Sequence, residues 1–255
     1  MQPNSIKDQL YYSTVMIQSS QSSGTSFLIS KTIGQLGRIY LVSNRHVVEN
    51  QTECRIRFHK SESINPENKV GDFIHHFSND EWVNGWKFHK DNEVDLAVFD
   101  LTATMATLYE QQQYIFYRCL AVDSIATKEE TTQIIAMEKV FFVGYPNAFR
   151  DETNNLPIAR SGYLATPLYT DFNGKEAFLL DASIFEGSSG SPICIVNENF
   201  ETYTDTLGNA RVNARCILAG VNSGTITRSR DNQYLDIGYA WKAYKILEII
   251  EQNKM

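Results

Sequence analysis

No stretch of this chain approaches the roughly 18 consecutive apolar residues that a membrane-crossing helix needs. The opening MQPNSIKDQLYYSTVMIQ has neither the basic start nor the apolar middle of a secretory signal, so a cytoplasmic location is expected. Basic runs are equally scarce. With 23 Lys and Arg against 30 Asp and Glu, the formal net charge is −7, which argues against a phosphate-tracking surface and excludes nucleic acid and membrane as expected partners. Cysteine is sparse too: Cys54, Cys119, Cys194 and Cys216 form no CxxC and no His-paired spacing. That pattern argues against a zinc site or a disulfide framework and leaves buried free thiols as the expectation; no cofactor is expected.

What the chain does have is core material, with 42% hydrophobic residues and 14 Phe, 13 Tyr and 3 Trp in 255 residues. This is enough for one large domain or two small ones sharing a core. Short β-rich segments separated by turn chemistry run through it: Thr25 to Ser30, Ile39 to Ser43, Cys54 to Phe58, Asp95 to Phe99 and Val140 to Gly144. The second half adds Ser161 to Thr166, Ala177 to Leu180, Pro192 to Val196, Cys216 to Val221 and Tyr234 to Ala240. Their spacing predicts an all-β antiparallel sandwich or barrel. Cys54, Ile56 and Phe58 alternate with Arg55 and Arg57, as in a half-buried strand with the arginines in water. Between about Ala103 and Lys139 the pattern turns polar, with a capping-box signal at Thr127 and Glu130. Ala243, Ile246, Leu247 and Ile250 then recur at helical spacing. The expected organisation is a first β unit over 1–115, a connector over 116–139, and a second β unit over 140–255 ending in a helix over 241–253.

Gly187-Ser188-Ser189-Gly190-Ser191-Pro192 is the segment richest in chemistry. As bare punctuation it is a turn. A nucleophilic serine asks for the same turn, with its hydroxyl exposed and backbone N–H groups converging on one point. Gly187 can aim its amide inward, and the N–H of Ser189 supplies the second donor of an oxyanion hole. A hydroxyl also needs a base. His75 and His76 lie in the polar GDFIHHFSND, which reads as a loop, and His59 and His89 each adjoin a lysine and read as solvent-facing. His46 instead stands just beyond the strand Ile39 to Ser43. Taken alone it also reads as a structural histidine. Asp95 opens the apolar run Leu96-Ala97-Val98-Phe99, where a carboxylate enters the interior and can hold an imidazole firmly. Taken alone it reads as a strand cap. Jointly, His46, Asp95 and Ser189 stand at the edges of three different β segments and predict base, orienting acid and nucleophile.

With these motifs in hand, the chain resembles a trypsin-like serine protease of the chymotrypsin clan. It is similar in style to the bacterial glutamyl endopeptidases and high-temperature-requirement proteases more than to animal digestive enzymes. Gly24-Thr25-Ser26-Phe27-Leu28-Ile29, Leu41 to Val48 around His46, Asp95-Leu96-Ala97-Val98, Asp181-Ala182-Ser183 and the turn at Ser189 carry the likeness, and Leu218 to Gly224 resembles the strand that pairs with bound peptide. An α/β-hydrolase esterase has a different order of triad residues, and its GxSxG motif would need Gly where Ser191 stands.

The resemblance implies two six-stranded antiparallel β-barrels with a cleft between them, His46 and Asp95 coming from the first and Ser189 from the second. It implies hydrolysis of a protein or peptide through an acyl-enzyme, with no metal. It also implies a specificity pocket with Ser183 at its base, Asn222 on a wall, Ser223 beside it and Gly224 leaving the mouth open. Such neutral lining disfavours a simple preference for Arg or Lys, although Asp236 could approach from the next strand; as a solvated strand residue it would not. Asn222 also departs from the histidine of glutamyl endopeptidases. Animal relatives carry Asp before the nucleophile to pair with a newly cut N-terminus; here that residue is Ser188, so activation by N-terminal insertion is not expected. Two other functions remain open: a catalytically silent peptide-binding module, and a protease that waits for a regulatory protein partner. A bridge between Cys194 and Cys216, on neighbouring strands, is geometrically conceivable but not expected.

Overall fold

Short continuous apolar runs such as Val15 to Ile17 and Ala177 to Leu180 write many of the strands, and alternation writes a few, such as Ile158 to Leu164. The computed structural model describes residues 5–34, 36–63, 69–204, 210–227 and 234–255. The chain begins with helix α1 (Ile6–Ser13), whose first turn is closed by a reciprocal capping box between Ser5 and Asp8. There follow β1 (Thr14–Gln18), β2 (Ser23–Ile33), β3 (Leu36–Ser43), α2 (Arg45–Val48), β4 (Arg55–Ser61), β5 (Lys69–His76), α3 (Asn79–Gly85), β6 (Trp86–Phe88), β7 (Ala97–Asp100) and α4 (Thr102–Glu110). The middle of the chain contributes β8 (Ile115–Phe116), β9 (Leu120–Ala121) and α5 (Lys128–Thr131), the last capped by Thr127 and Glu130 as its sequence predicts. The second half is β10 (Lys139–Gly144), β11 (Ile158–Leu164), β12 (Ala177–Asp181), β13 (Pro192–Thr204), β14 (Ala210–Thr227), β15 (Tyr234–Lys242) and helix α6 (Tyr244–Gln252).

The fold is mostly β and chymotrypsin-like, with the expected C-terminal helix. The second unit is a closed barrel of six antiparallel strands in the order β10-β11-β12-β15-β14-β13. The first differs from the expected six-stranded barrel. It is a nine-stranded sheet ordered β5-β4-β1-β2-β3-β7-β6, with β8 added to β4 and β9 added in parallel to β2. The added strands come from the polar connecting stretch, where two-residue pairings leave too little periodicity to read. The outer strand β5 is largely exposed, and among the described residues it pairs only with β4, so it reads from sequence as a loop.

Three apolar clusters hold the molecule together. One lies within the first sheet around Leu28, Leu41, Phe58 and Trp82; a second fills the closed barrel around Phe142, Phe178 and Leu180. The third is shared: Phe27, Ile29, Tyr40 and Val42 of the first unit meet Cys194, Leu218 and Val221 of the second, and α6 adds Ile246, Ile249 and Ile250. Burial of each such side chain stabilises the fold by roughly 1.5–3 kcal/mol, so α6 is an integral part of the seam between the units. Its polar face fastens the loop that leads to Asp95. His89 donates from Nε2 to Glu248 Oε2 at 2.9 Å, and the Lys90 N–H donates to Gln252 Oε1 at 3.1 Å.

Two histidines differ from their expected exposure. His59 is only 5% exposed and His89 only 7%. A neighbouring lysine says nothing of the opposite face: Tyr12 and Phe116 cover His59, and α6 covers His89. The alternation of Cys54, Ile56 and Phe58 is observed as expected, all three being buried. All four cysteines are free. Cys194 faces Leu218 and Cys216 faces Val196 across β13 and β14, so the two thiols are diagonal neighbours joined by a hydrogen bond. No helix among the described residues is long and apolar enough to cross a membrane.

Candidate active site

The site forms where strand ends of the two units meet. β3 delivers Ser43 and Asn44 to the short helix α2, whose second residue is His46. Asp95 precedes β7, and the Asn44 side chain grips its carbonyl at 2.7 Å. The Asp95 carboxylate then holds His46 twice: Oδ1 accepts the backbone N–H at 2.9 Å, and Oδ2 accepts from ring Nδ1 at 2.6 Å. Nδ1 therefore carries the proton in this pairing, which leaves Nε2 as the ring atom able to take up another.

On the other side of the seam, the turn carrying Ser189 is held by Thr25 of β2. The Thr25 N–H donates to the Ser189 carbonyl at 2.9 Å, and its hydroxyl donates to the Gly187 carbonyl at 2.7 Å. That same hydroxyl accepts the Tyr145 N–H at 3.0 Å, while the Thr25 carbonyl accepts from Ser43 Oγ at 2.7 Å. Gly190 has φ +88°, and a Cβ there would collide with the Thr25 carbonyl oxygen, so this close approach requires glycine. Gly187, at φ +82°, likewise lies against the Tyr145 carbonyl. Among the described residues, neither the Gly187 N–H nor the Ser189 N–H has a protein acceptor. The carbonyls on the far side of the same peptides are occupied: Glu186 accepts from the Asn147 N–H at 2.6 Å, and Ser188 accepts from the Ser191 N–H at 3.1 Å and Asn222 Nδ2 at 2.9 Å.

Ser223 connects the two halves. It sits where the β14–β15 register shifts between Asn222 and Gly224, and that irregularity aims its hydroxyl at Asp95 Oδ2, 2.5 Å away. Its carbonyl accepts the Ser189 hydroxyl at 3.3 Å. Ser189 is thus engaged with Ser223, and no hydrogen bond joins it to His46 among the described residues. One residue nevertheless touches both the acid that holds His46 and the hydroxyl of Ser189, which brings all three into one neighbourhood.

The remaining expected residues fall differently. Ser183 is partly exposed between β12 and the turn carrying Ser189, and a Cβ on Gly224 would meet nothing within 4 Å. Asn222 is not on a pocket wall: it has no exposed surface and lies beneath the turn, because its side chain follows the strand inward to Ser188. Asp236 is exposed and lies within Coulombic reach of Arg160, whose guanidinium sits 5.0 Å from the Phe185 ring centre. The linking roles of Thr25, Ser223 and Asn222 have no signature in spacing, although all three stand inside motifs singled out for other reasons. Among the described residues no three His, Cys, Asp or Glu side chains gather to hold a metal ion.

The architecture has solved counterparts. An inactive-form serine-to-alanine mutant of Rv3671c from M. tuberculosis H37Rv is similar at TM-score 0.52 and 15% identity, over 98% of this chain and 90% of that one. The HtrA-type protease AlgW with a tripeptide is similar at 0.52 and 15% identity, over 96% of this chain and 60% of that one. The MamO protease domain from Magnetospirillum magneticum, in its apo form, is similar at 0.53 and 12% identity, over 95% of this chain and 97% of that one. At such identities the likeness establishes the fold alone. No curated protein sequence matches the chain. The profile of the trypsin-like peptidase domain, however, matches residues 24–199, which is more than half of the sequence, and the chain belongs to that family.

Proposed function

We propose that this member of the family is a serine endopeptidase that cleaves protein or peptide substrates through an acyl-enzyme. The observation that carries the proposal is the double grip of Asp95 on His46, with Ser223 linking that carboxylate to Ser189. In the proposed reaction the Ser189 hydroxyl rotates from the Ser223 carbonyl to His46 Nε2, which takes its proton as Oγ attacks the scissile carbonyl carbon. The N–H groups of Gly187 and Ser189 receive the oxyanion, and Asp95 stabilises the imidazolium. His46 then passes the proton to the leaving amine. Water, deprotonated by the same ring, attacks the acyl-enzyme and frees the acid, restoring Ser189. Ser183 and Gly224 would receive the side chain on the acyl side of the cleaved bond.

The Ser189 to Ser223 hydrogen bond gives substance to a second reading, a chain whose nucleophile rests until a ligand or a partner redirects it. The two separate in one experiment. A fluorophosphonate probe should label Ser189 in the purified protein and not in Ser189→Ala, and a peptide library should be cut by the first alone, with cleavage positions read by mass spectrometry. Absence of labelling and of cleavage in the purified parent would favour the resting chain.

A further inference from the structure

The two peptide units that would face an oxyanion are each gripped from behind. In a trans peptide the carbonyl and N–H point in opposite directions, so fixing the oxygen fixes where the hydrogen aims. The Glu186 carbonyl shares its unit with the Gly187 N–H and is held by the Asn147 N–H, in a turn where Asn147 and Ala148 both adopt positive φ, 50° and 58°. The Ser188 carbonyl shares its unit with the Ser189 N–H. Its side-chain donor is Asn222.

Asn222 is an expensive residue to keep in this place. Its side chain is wholly buried, and its Oδ1 has no hydrogen-bond partner. An apolar residue of similar size would avoid that desolvation cost. In return the amide makes one side-chain bond, and that bond ends on the peptide whose N–H would meet the oxyanion. Its backbone completes the grip: Asn222 donates to the Ser191 carbonyl at 2.9 Å and accepts the Gly190 N–H at 2.8 Å. Ser188, which precedes Ser189 in the turn, is 2% exposed and offers no charge to lock the turn electrostatically.

We infer that Asn222 is a positioning residue that keeps the oxyanion hole formed in the resting chain. The turn then needs neither a new N-terminal ammonium nor an activating partner to take its working shape. The inference rests on Ser189 being the nucleophile proposed above.

Asn222→Ala tests it in the full chain. The expected result is a kcat about a hundredfold lower, the size of effect seen on losing one oxyanion donor, with KM within about threefold of the parent. Binding of a peptide boronate, which mimics the tetrahedral adduct, should weaken in parallel, while binding of a cleaved product peptide should not. Asn222→Asp supplies a second test. It can donate to the Ser188 carbonyl only while protonated, so its rate profile should gain an alkaline falling limb that the parent lacks. Crystal structures of either variant give a readout independent of turnover: the Ser188–Ser189 peptide should turn away from its parental plane in Asn222→Ala. A folded Asn222→Ala with kcat within about twofold of the parent, or with that peptide plane unchanged, overturns the inference. Should the parent fail to react with fluorophosphonate, the proposed function fails and the peptide plane still decides the role of Asn222.

Discussion

Thr25 donates its hydroxyl to the Gly187 carbonyl at 2.7 Å, joining residues 162 apart in sequence and on opposite sides of the seam. Because the same oxygen accepts the Tyr145 N–H, Thr25→Val would preserve shape while orphaning one buried donor and one acceptor. Each orphan costs about 1–3 kcal/mol, so a clear fall in urea midpoint is expected. The fluorophosphonate reaction should slow as the turn loosens. Gly190→Ala should be worse, since its Cβ meets the Thr25 carbonyl in a backbone region unsuited to alanine. Equal urea midpoints for Thr25→Val and parent would contradict this account.

Ser223→Ala removes the hydroxyl that donates to Asp95 Oδ2 and leaves the carbonyl that Ser189 uses. Hydrogen bonds to charged groups contribute about 1.5–3 kcal/mol, so kcat should drop roughly ten- to hundredfold. KM should change little. Steady-state kinetics on a cleavable peptide check the split, and a change confined to KM would assign Ser223 to substrate binding instead.

Acid stability should report on His59. Burial lowers its pKa from the ordinary 6.5 to about 4, a shift strengthened by Lys69 and opposed by Asp72. The unfolded chain then binds the extra proton between those values, and stability depends on pH with the sign of that uptake. The contribution is complete above about pH 6.5 and is lost progressively as pH falls towards 4, amounting at most to roughly 3 kcal/mol. Urea midpoints measured across this range should slope downward on acidification, and His59→Phe should flatten that slope. An unchanged slope in the variant would assign the acid sensitivity to other groups.

Thiol reactivity offers an independent check on the packing. Burial pushes the Cys54 thiol up to about 11 and the Cys119 thiol to about 12, keeping both protonated at neutral pH. The hydrogen bond between Cys194 and Cys216 acts in opposite directions on its partners, raising Cys194, which burial raises further, and lowering the partly exposed Cys216. Because the thiolate is the reactive form, iodoacetamide should modify Cys216 first in the native protein. Peptide mapping would show the order, and preferential labelling of Cys54 or Cys119 would contradict it.

The sequence is most legible where chemistry demands fixed residue types in order. The strand ends bearing His46 and the turn bearing Ser189 carry local signals, and Asp95 stands out at the start of an apolar run. It is least legible where a contact depends on register. Ser223 finds Asp95 only because β14 and β15 slip by one residue beside it, and a slip leaves no mark on composition. Asn222 stands on a pocket wall only by what the resemblance implies, and the irregularity between Asn222 and Gly224, invisible in sequence, accompanies a side chain that runs inward to Ser188 instead. His59 and His89 are hidden by partners distant in sequence, which single-strand alternation cannot foresee.

The shared cluster also sets the schedule of biosynthesis. Phe27, Ile29, Tyr40 and Val42 are covered by Val221, Trp241, Ile246 and Ile250. A nascent chain that stops short of these has only part of the cover for that greasy face, supplied by residues such as Leu96 and Leu120, and the earliest strands gain all their final neighbours only once translation has passed Ile250. A stop codon ahead of α6 would therefore leave part of that adhesive surface exposed.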